Sequence, residues 1–206
     1  MTGVRQFDAD KALEAAMRVF WERGFEGTSY ADLTSATGLN KSSLYNAFGD
    51  KRQLYDRCLA RFAEVYGGTL RAQLDAPTLE AALDRFFTAL VVRFDRPDLP
   101  GGCLSTSAAL ELGGREAAAS QRIADQMVRT ERAFERRCRQ AVRDGELPTG
   151  TDTCGLASLF LAMTRGLAAL HRGYGDTKSV ERARHAMMQV LKAPPLKRGS
   201  AVASDN

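Results

Sequence analysis

Every long segment of this chain repeats its apolar residues at intervals of three and four, and none alternates apolar with polar at the period of two that marks a half-buried strand. A chain with that pattern can hide its apolar surface only by packing helix on helix, so the sequence predicts an all-α protein of about nine helices. Glycine and proline set the boundaries. Leu13, Ala16, Met17, Phe20 and Trp21 form one stripe on a first helix that Asp8 can cap at its start and Gly24 at its end. Ser29, followed three residues later by Asp32, has capping-box spacing and opens a short second helix that Gly38 stops. Asn40 caps a third, Lys41 to Phe48, and Gly49-Asp50 breaks the chain before a long helix starts at Lys51 and kinks or frays at Gly67-Gly68.

Five further helices are expected, at Leu79 to Phe94, Cys103 to Leu112, Ser120 to Arg143, about Asp152 to Arg172 and about Lys178 to Lys192. Residues 194–206, from Pro194-Pro195 onward, read as a disordered tail.

Composition narrows the function. With 206 residues, 44% of them hydrophobic, the chain can build its core without metal or disulfide. Cys58, Cys103, Cys138 and Cys154 form no CxxC pair and only His171 and His185 could join them, so neither a metal site nor a cofactor is expected. The longest nearly uncharged apolar stretch, Cys154 to Thr164, is well short of the ~20 residues a bilayer demands. The first ten residues carry Arg5, Asp8 and Asp10 and no apolar export segment, so a cytoplasmic protein without a membrane partner is expected. HExxH, GxSxG, P-loop and GxGxxG patterns are absent, which argues against an enzyme.

The second and third helices, separated by Thr37-Gly38-Leu39-Asn40 and supported by the first, have the spacing of a helix-turn-helix. The third offers Lys41, Ser42, Ser43, Asn46 and Ala47 outward while Leu44 and Phe48 face the core, and Tyr45, between the faces, can donate to a phosphate. Lys51 adds its charge and the positive end of the next helix. The net charge of +4 does not decide the matter, since residues 1–55 hold seven basic and seven acidic side chains. Any attraction for DNA must come from placement around Lys41 and Lys51, with Arg5 on an N-terminal arm. The alternative is a helical protein-interaction module without DNA binding.

The runs Phe20-Trp21-Glu22-Arg23-Gly24-Phe25, Thr28-Ser29-Tyr30-Ala31-Asp32-Leu33 and Gly38 through Lys51 resemble the N-terminal domain of TetR-family transcriptional regulators. The resemblance implies residues 1–50 as a DNA-binding domain and 51–193 as a ligand-binding and dimerisation domain. It further implies a homodimer whose recognition helices enter successive major grooves of double-stranded operator DNA, usually as a repressor released by a small-molecule effector. On that alignment Lys41, Ser42, Ser43 and Asn46 face bases, Tyr45 and Lys51 contact phosphates, and Ser29 and Tyr30 seat the second helix on the backbone.

The helix near Asp152 to Arg172 carries Leu156, Leu159, Phe160, Met163, Leu167 and Leu170, too broad an apolar surface for one exposed face. With Val180, Ala183, Met187, Met188 and Leu191 of the next helix it resembles half of a four-helix dimer interface. Phe62, Tyr66, Phe86 and Met127 can wall an effector pocket, with Ser107 or Tyr66 for a hydrogen bond. Cys103 follows Gly101-Gly102 at a helix start, where a thiolate is favoured, and offers the alternative of a thiol-based redox or electrophile sensor. Its nearest basic residue in sequence is Arg96, so a buried small hydrophobe is the preferred reading.

Overall fold

The computed structural model describes residues 2–114 and 117–192, which contain helices and no strand. In chain order they are α1 (Thr2–Arg23), α2 (Tyr30–Thr37), α3 (Lys41–Phe48), α4 (Lys51–Phe62), a π-helical turn (Ala63–Gly67), α5 (Gly68–Ala72), α6 (Leu79–Phe94), α7 (Leu104–Leu112), α8 (Ala117–Arg143), α9 (Thr153–Tyr174) and α10 (Thr177–Lys192). Because α4 and α5 are one rod continued through the π turn, the described residues form nine helices. The expected tail at 194–206 lies outside the described residues.

Two local expectations are corrected. α1 begins at Thr2, six residues before the cap proposed at Asp8, and takes the backbone of Arg5 out of the expected arm and into the helix. Extending an existing helix gains one hydrogen bond per residue, and only Gly3 opposes it there. Of the kink or fraying expected at Gly67-Gly68, fraying does not occur: the helix runs through the π turn that ends at Gly67, and Gly68 keeps a helical φ of −60°.

Ala16, Met17, Phe20 and Trp21 are almost wholly buried, as the stripe on α1 requires, and α1 packs against α2, α4 and α7. Deeper in the body Phe86, Phe87, Phe134 and Phe160 form an aromatic cluster, with the Phe86 and Phe134 centroids 4.7 Å apart. These rings are at most 1% exposed.

The three-helix head is fixed to the body at the C-terminal end of α1, where helix carbonyls lack intrahelical partners. Arg172 of α9 donates to the carbonyls of Trp21, at 3.1 Å, and Glu22. The Trp21 indole Nε1 donates to Gly101 O at 3.2 Å, and Glu111 of α7 accepts from the backbone N–H of Phe25 and Glu26 at 2.8 and 2.6 Å.

His171 of α9 completes this junction. Its Nδ1 accepts from Gly102 N at 3.1 Å and its ring stacks on Phe94 at 4.8 Å. Gly101 permits the approach, because a Cβ there would lie 2.6 Å from His171 Cε1. An accepting Nδ1 carries no proton, and burial holds the imidazole below its ordinary pKa of 6.5. Between that lowered value and 6.5 the unfolded chain binds a proton that the folded chain does not, so stability is lost as pH falls through this window. Tm should therefore decline on acidification below neutrality, and less steeply in His171→Asn, whose amide oxygen can accept the same N–H. Equal slopes for the two proteins would assign the pH response to other groups.

Candidate functional site

The reading head is built by local chemistry. Ser29 Oγ accepts from Asp32 N at 3.2 Å while Asp32 Oδ2 accepts from Ser29 N at 2.9 Å, the reciprocal pair of a capping box. Gly38, at φ 70°, ends α2 and donates its N–H to Thr34 O at 3.0 Å; a side chain would be strained at this left-handed φ. Asn40 Oδ1 then accepts from Ser43 N at 2.8 Å and starts α3. Leu33, Leu44 and Phe48 are buried beneath, so Lys41, Ser42, Tyr45, Asn46 and Ala47 stand on one exposed face. Tyr45 is 61% exposed, an unusual position for a large aromatic side chain.

Not every expected contact residue is equally available. Ser43 is half-buried, and Ser42 Oγ donates to Asn40 Oδ1 at 2.7 Å, so its proton is already engaged. Lys41 Nζ lies 4.7 Å from the centroid of the Tyr30 ring, and Tyr30 OH accepts from Lys51 N at 3.0 Å. Asp50 Oδ1 accepts from Gln53 N at 2.8 Å. The N–H groups of Lys51 and Gln53 are thus satisfied internally, so Lys51 has its ammonium to offer, 4.5 Å from the Phe25 centroid, rather than its backbone donor. Tyr30 still has a hydroxyl proton to give. Arg57, not selected from the sequence, lies beside α3, its guanidinium 3.3 Å from Ala47 O, and lines a surface groove with Tyr45, Asn46 and Gln53. Its position six residues after Lys51 was the available clue.

The zero charge balance of the head is resolved by position. α3 contains no acid. Asp32 is held below the usual carboxylate range by hydrogen bonds from Ser29 and by Arg23, and Glu14 meets Arg18 and the Tyr66 hydroxyl.

A second candidate site is a narrow cavity of about 40 Å³, part of it open to solvent, among the α4–α5 rod, α6, α7, α8 and α9. Phe62, Phe86 and Cys103 line it. Tyr66, Ser107 and Met127 are not part of this lining. Tyr66 is turned toward α1, its OH 3.3 Å from Glu14 Oε1 and its ring 5.2 Å from Trp21. Ser105 takes the place expected of Ser107, because α7 starts at Leu104 and two residues later the helix has turned by about 200°. Ser105 Oγ donates to Gln126 Oε1 at 3.0 Å.

Cys103 is buried as expected, but the premise that it lacks basic neighbours is overturned: Arg165 Nη1 of α9 lies 3.4 Å from its Sγ, and Arg93 of α6 is also beside it. Burial pushes the thiol up, yet Arg165, Arg93 and hydrogen bonding with Thr106 bring it below its ordinary value.

Residues 12–58 match the family described as "Bacterial regulatory proteins, tetR family", and residues 79–187 match "Tetracyclin repressor-like, C-terminal domain". The chain belongs to the TetR family of DNA-binding transcriptional regulators. The HTH-type transcriptional repressor ComR of Escherichia coli is 30% identical over 164 residues, 79% of this chain and 78% of ComR. A cysteine-substituted form of the TetR family regulator CifR, solved with 26-base-pair double-strand operator DNA, has a TM-score of 0.77 and 34% identity over 86% of this chain and 95% of that one. The reduced form of Escherichia coli NemR, with a TM-score of 0.78 and 16% identity over 93% of this chain and 100% of that one, shares the fold.

For this TetR-family regulator, two kinds of contact are expected of the α3 face. Tyr45→Phe should weaken binding to all duplexes alike, while Asn46→Ala and Lys41→Ala should relax preference at individual positions, by ~1–3 kcal/mol each. Binding measured on a set of single-base variants of a selected duplex checks this. A changed base preference confined to Tyr45→Phe would reverse the roles.

Proposed function

We propose that this regulator is a cytoplasmic homodimeric repressor that holds a palindromic operator through α3 of each subunit and releases it when a small molecule occupies the cavity. The exposed, acid-free α3 face is the observation that carries the reading. The repressor function of ComR and the operator complex of CifR support it.

The dimer is assigned to α9 and α10, through the outward part of the apolar surface expected there. Leu167 and Met187 are turned into the subunit, 5% and 7% exposed, whereas Leu159, Leu170 and Val190 are 44%, 37% and 71% exposed. On α9 the exposed Leu159, Ala162, Gly166, Ala169, Leu170 and Gly173 make a flat surface suited to close helix approach. α9 has 22 residues, and an 18-residue stretch of it with a mean hydropathy of 1.4 is apolar enough by composition to cross a membrane. It instead packs on α8 and α10, and Arg165, His171 and Arg172 are all engaged with the rest of the chain, so a second copy is the fitting cover.

Two elements link cavity to head. The α4–α5 rod begins beside α3 at Lys51 and borders the cavity at Phe62. α7 has Cys103 at its cavity end and Glu111 in its last turn, on the backbone of Phe25 and Glu26. A ligand that displaces either element alters the placement of α3, and by linkage the operator must weaken that ligand by the same factor.

Selection from random duplexes with purified protein tests the reading. The wild type should enrich a palindrome with half-sites about one helical turn or a multiple of it apart. A Leu159→Glu/Leu170→Glu variant should keep its circular dichroism, sediment as a monomer and lose roughly 100-fold or more in operator affinity with the loss of bivalence. Recovery of no preferred sequence by the wild type would defeat the proposal.

Cys103 supports a second reading, a thiol-based redox or electrophile sensor, because two guanidiniums flank the sulfur. N-ethylmaleimide or peroxide should then free operator from the wild type and leave Cys103→Ser bound. Equal release of both would remove Cys103 from the switch.

A further inference from the structure

The cavity brings cations together without a carboxylate. Arg93 of α6 is 9% exposed, and its Nε and Nη2, like Nε of Arg165, are buried without a hydrogen-bond partner. The Arg93 guanidinium lies 5.3 to 5.9 Å from the ring centroids of Phe94, Phe62 and Trp21, which welcome a cation but supply no acceptor at its edge. Arg165 Nη1 donates to Cys103 Sγ at 3.4 Å and Thr106 Oγ1 at 3.3 Å, neither of them a carboxylate. Arg71 adds a third basic lining residue; its neighbours Arg129 and Arg136 are also basic. None of the lining residues is Asp or Glu.

Nε and Nη2 are the paired donors on one edge of a guanidinium, the fork that grips a carboxylate with two parallel hydrogen bonds. The same molecule shows that fork filled at its surface: Arg96 Nε donates to Asp98 Oδ1 at 2.9 Å and Nη2 to Oδ2. In Arg93 the corresponding edge is buried and unpaired. A desolvated cation with idle donors is unfavourable unless something brings the missing acceptors.

We propose that the cavity binds an organic monoanion: a carboxylate taken in the Arg93 fork with Arg165 beside it, on an apolar body that lies against Phe62, Phe86 and Leu90. This deepens the effector reading and rests on it. A planar carboxylate matches the fork, and the apolar remainder of the wall favours a carbon skeleton over a compact, strongly hydrated ion such as phosphate. Ser105 and Gln126, already bonded to each other, are placed to select among substituents on that skeleton.

The test uses the full chain with benzoate, phenylacetate and octanoate, each beside its primary amide, at millimolar concentration. Readouts are Tm and the fluorescence of Trp21, the chain's single tryptophan, whose ring is 4.8 Å from Phe62. At least one carboxylate should raise Tm and change the fluorescence while its amide does neither. Its affinity should fall about 100-fold in Arg93→Met and about tenfold in Arg93→Lys, which keeps the charge, and more of the fold's packing, but loses the fork. Carboxylates that act no more strongly than their amides on the wild type, or equally on the wild type, Arg93→Lys and Arg165→Met, would overturn the assignment. Operator retardation is measured separately. A protein that holds its operator and ignores every carboxylate sinks this assignment and leaves the repressor reading intact; a carboxylate that binds through Arg93 without loosening the operator upholds the site and sinks its role as effector.

Discussion

The end of α1 is the constraint on which the rest of the molecule depends. A helix that stops beneath a second layer leaves carbonyls that must find donors, and here they find Arg172, sent from α9 some 150 positions along the chain. Glu111 does the converse for the N–H groups that lead into α2, and the Trp21 indole closes the third side on Gly101. These bonds make the head a continuation of the body, although α2 and α3 are each only eight residues long. Helices that short are marginal alone and hold their shape because α1 and α4 bury Leu33, Leu44 and Phe48.

That dependence explains what could be seen in the sequence. The limits of α3 were legible to the residue because Asn40, Gly49 and the Leu44–Phe48 spacing act within one or two turns. The start of α9 near Asp152 is local in the same sense. Cavity walls are not. Cys103 lay next to glycines with no basic residue nearer in sequence than Arg96, yet its basic neighbours arrive from α6 and α9. Ser107 and Ser105 are equivalent as composition and differ only in helical phase, which one residue of uncertainty in the start of α7 is enough to confuse. The inward and outward residues of α9 could not be separated for a related reason: the helix is apolar almost all round, so periodicity could not say which side its own subunit would claim.

The body also divides its aromatic residues between two tasks. Phe87, Phe134 and Phe160 fill space, Phe134 lying tilted against Phe160 and near-parallel to Phe87. Phe62, Trp21 and Phe94 instead surround the guanidinium of Arg93. Phe86 and Phe62 border both the core and the open space, so a change in what occupies that space is felt in packed side chains, and close-packed interiors pass small displacements on rather than absorbing them.

The turn at Ala63–Gly67 gives the long rod a property that a regular helix lacks. A π turn accommodates one residue more than an α turn, so everything beyond it is rotated by about 100° relative to an uninterrupted helix. Leu70 and Arg71 owe their place on the cavity wall to that offset, and bare Gly67 lets the Arg71 guanidinium settle 2.9 Å from where a Cβ would be. Such an offset is a register defect held in place by its surroundings. Were it to slip along the rod or be expelled, the helix would ratchet by one residue, turning and lengthening as a screw does, with Lys51 and the recognition helix at its far end.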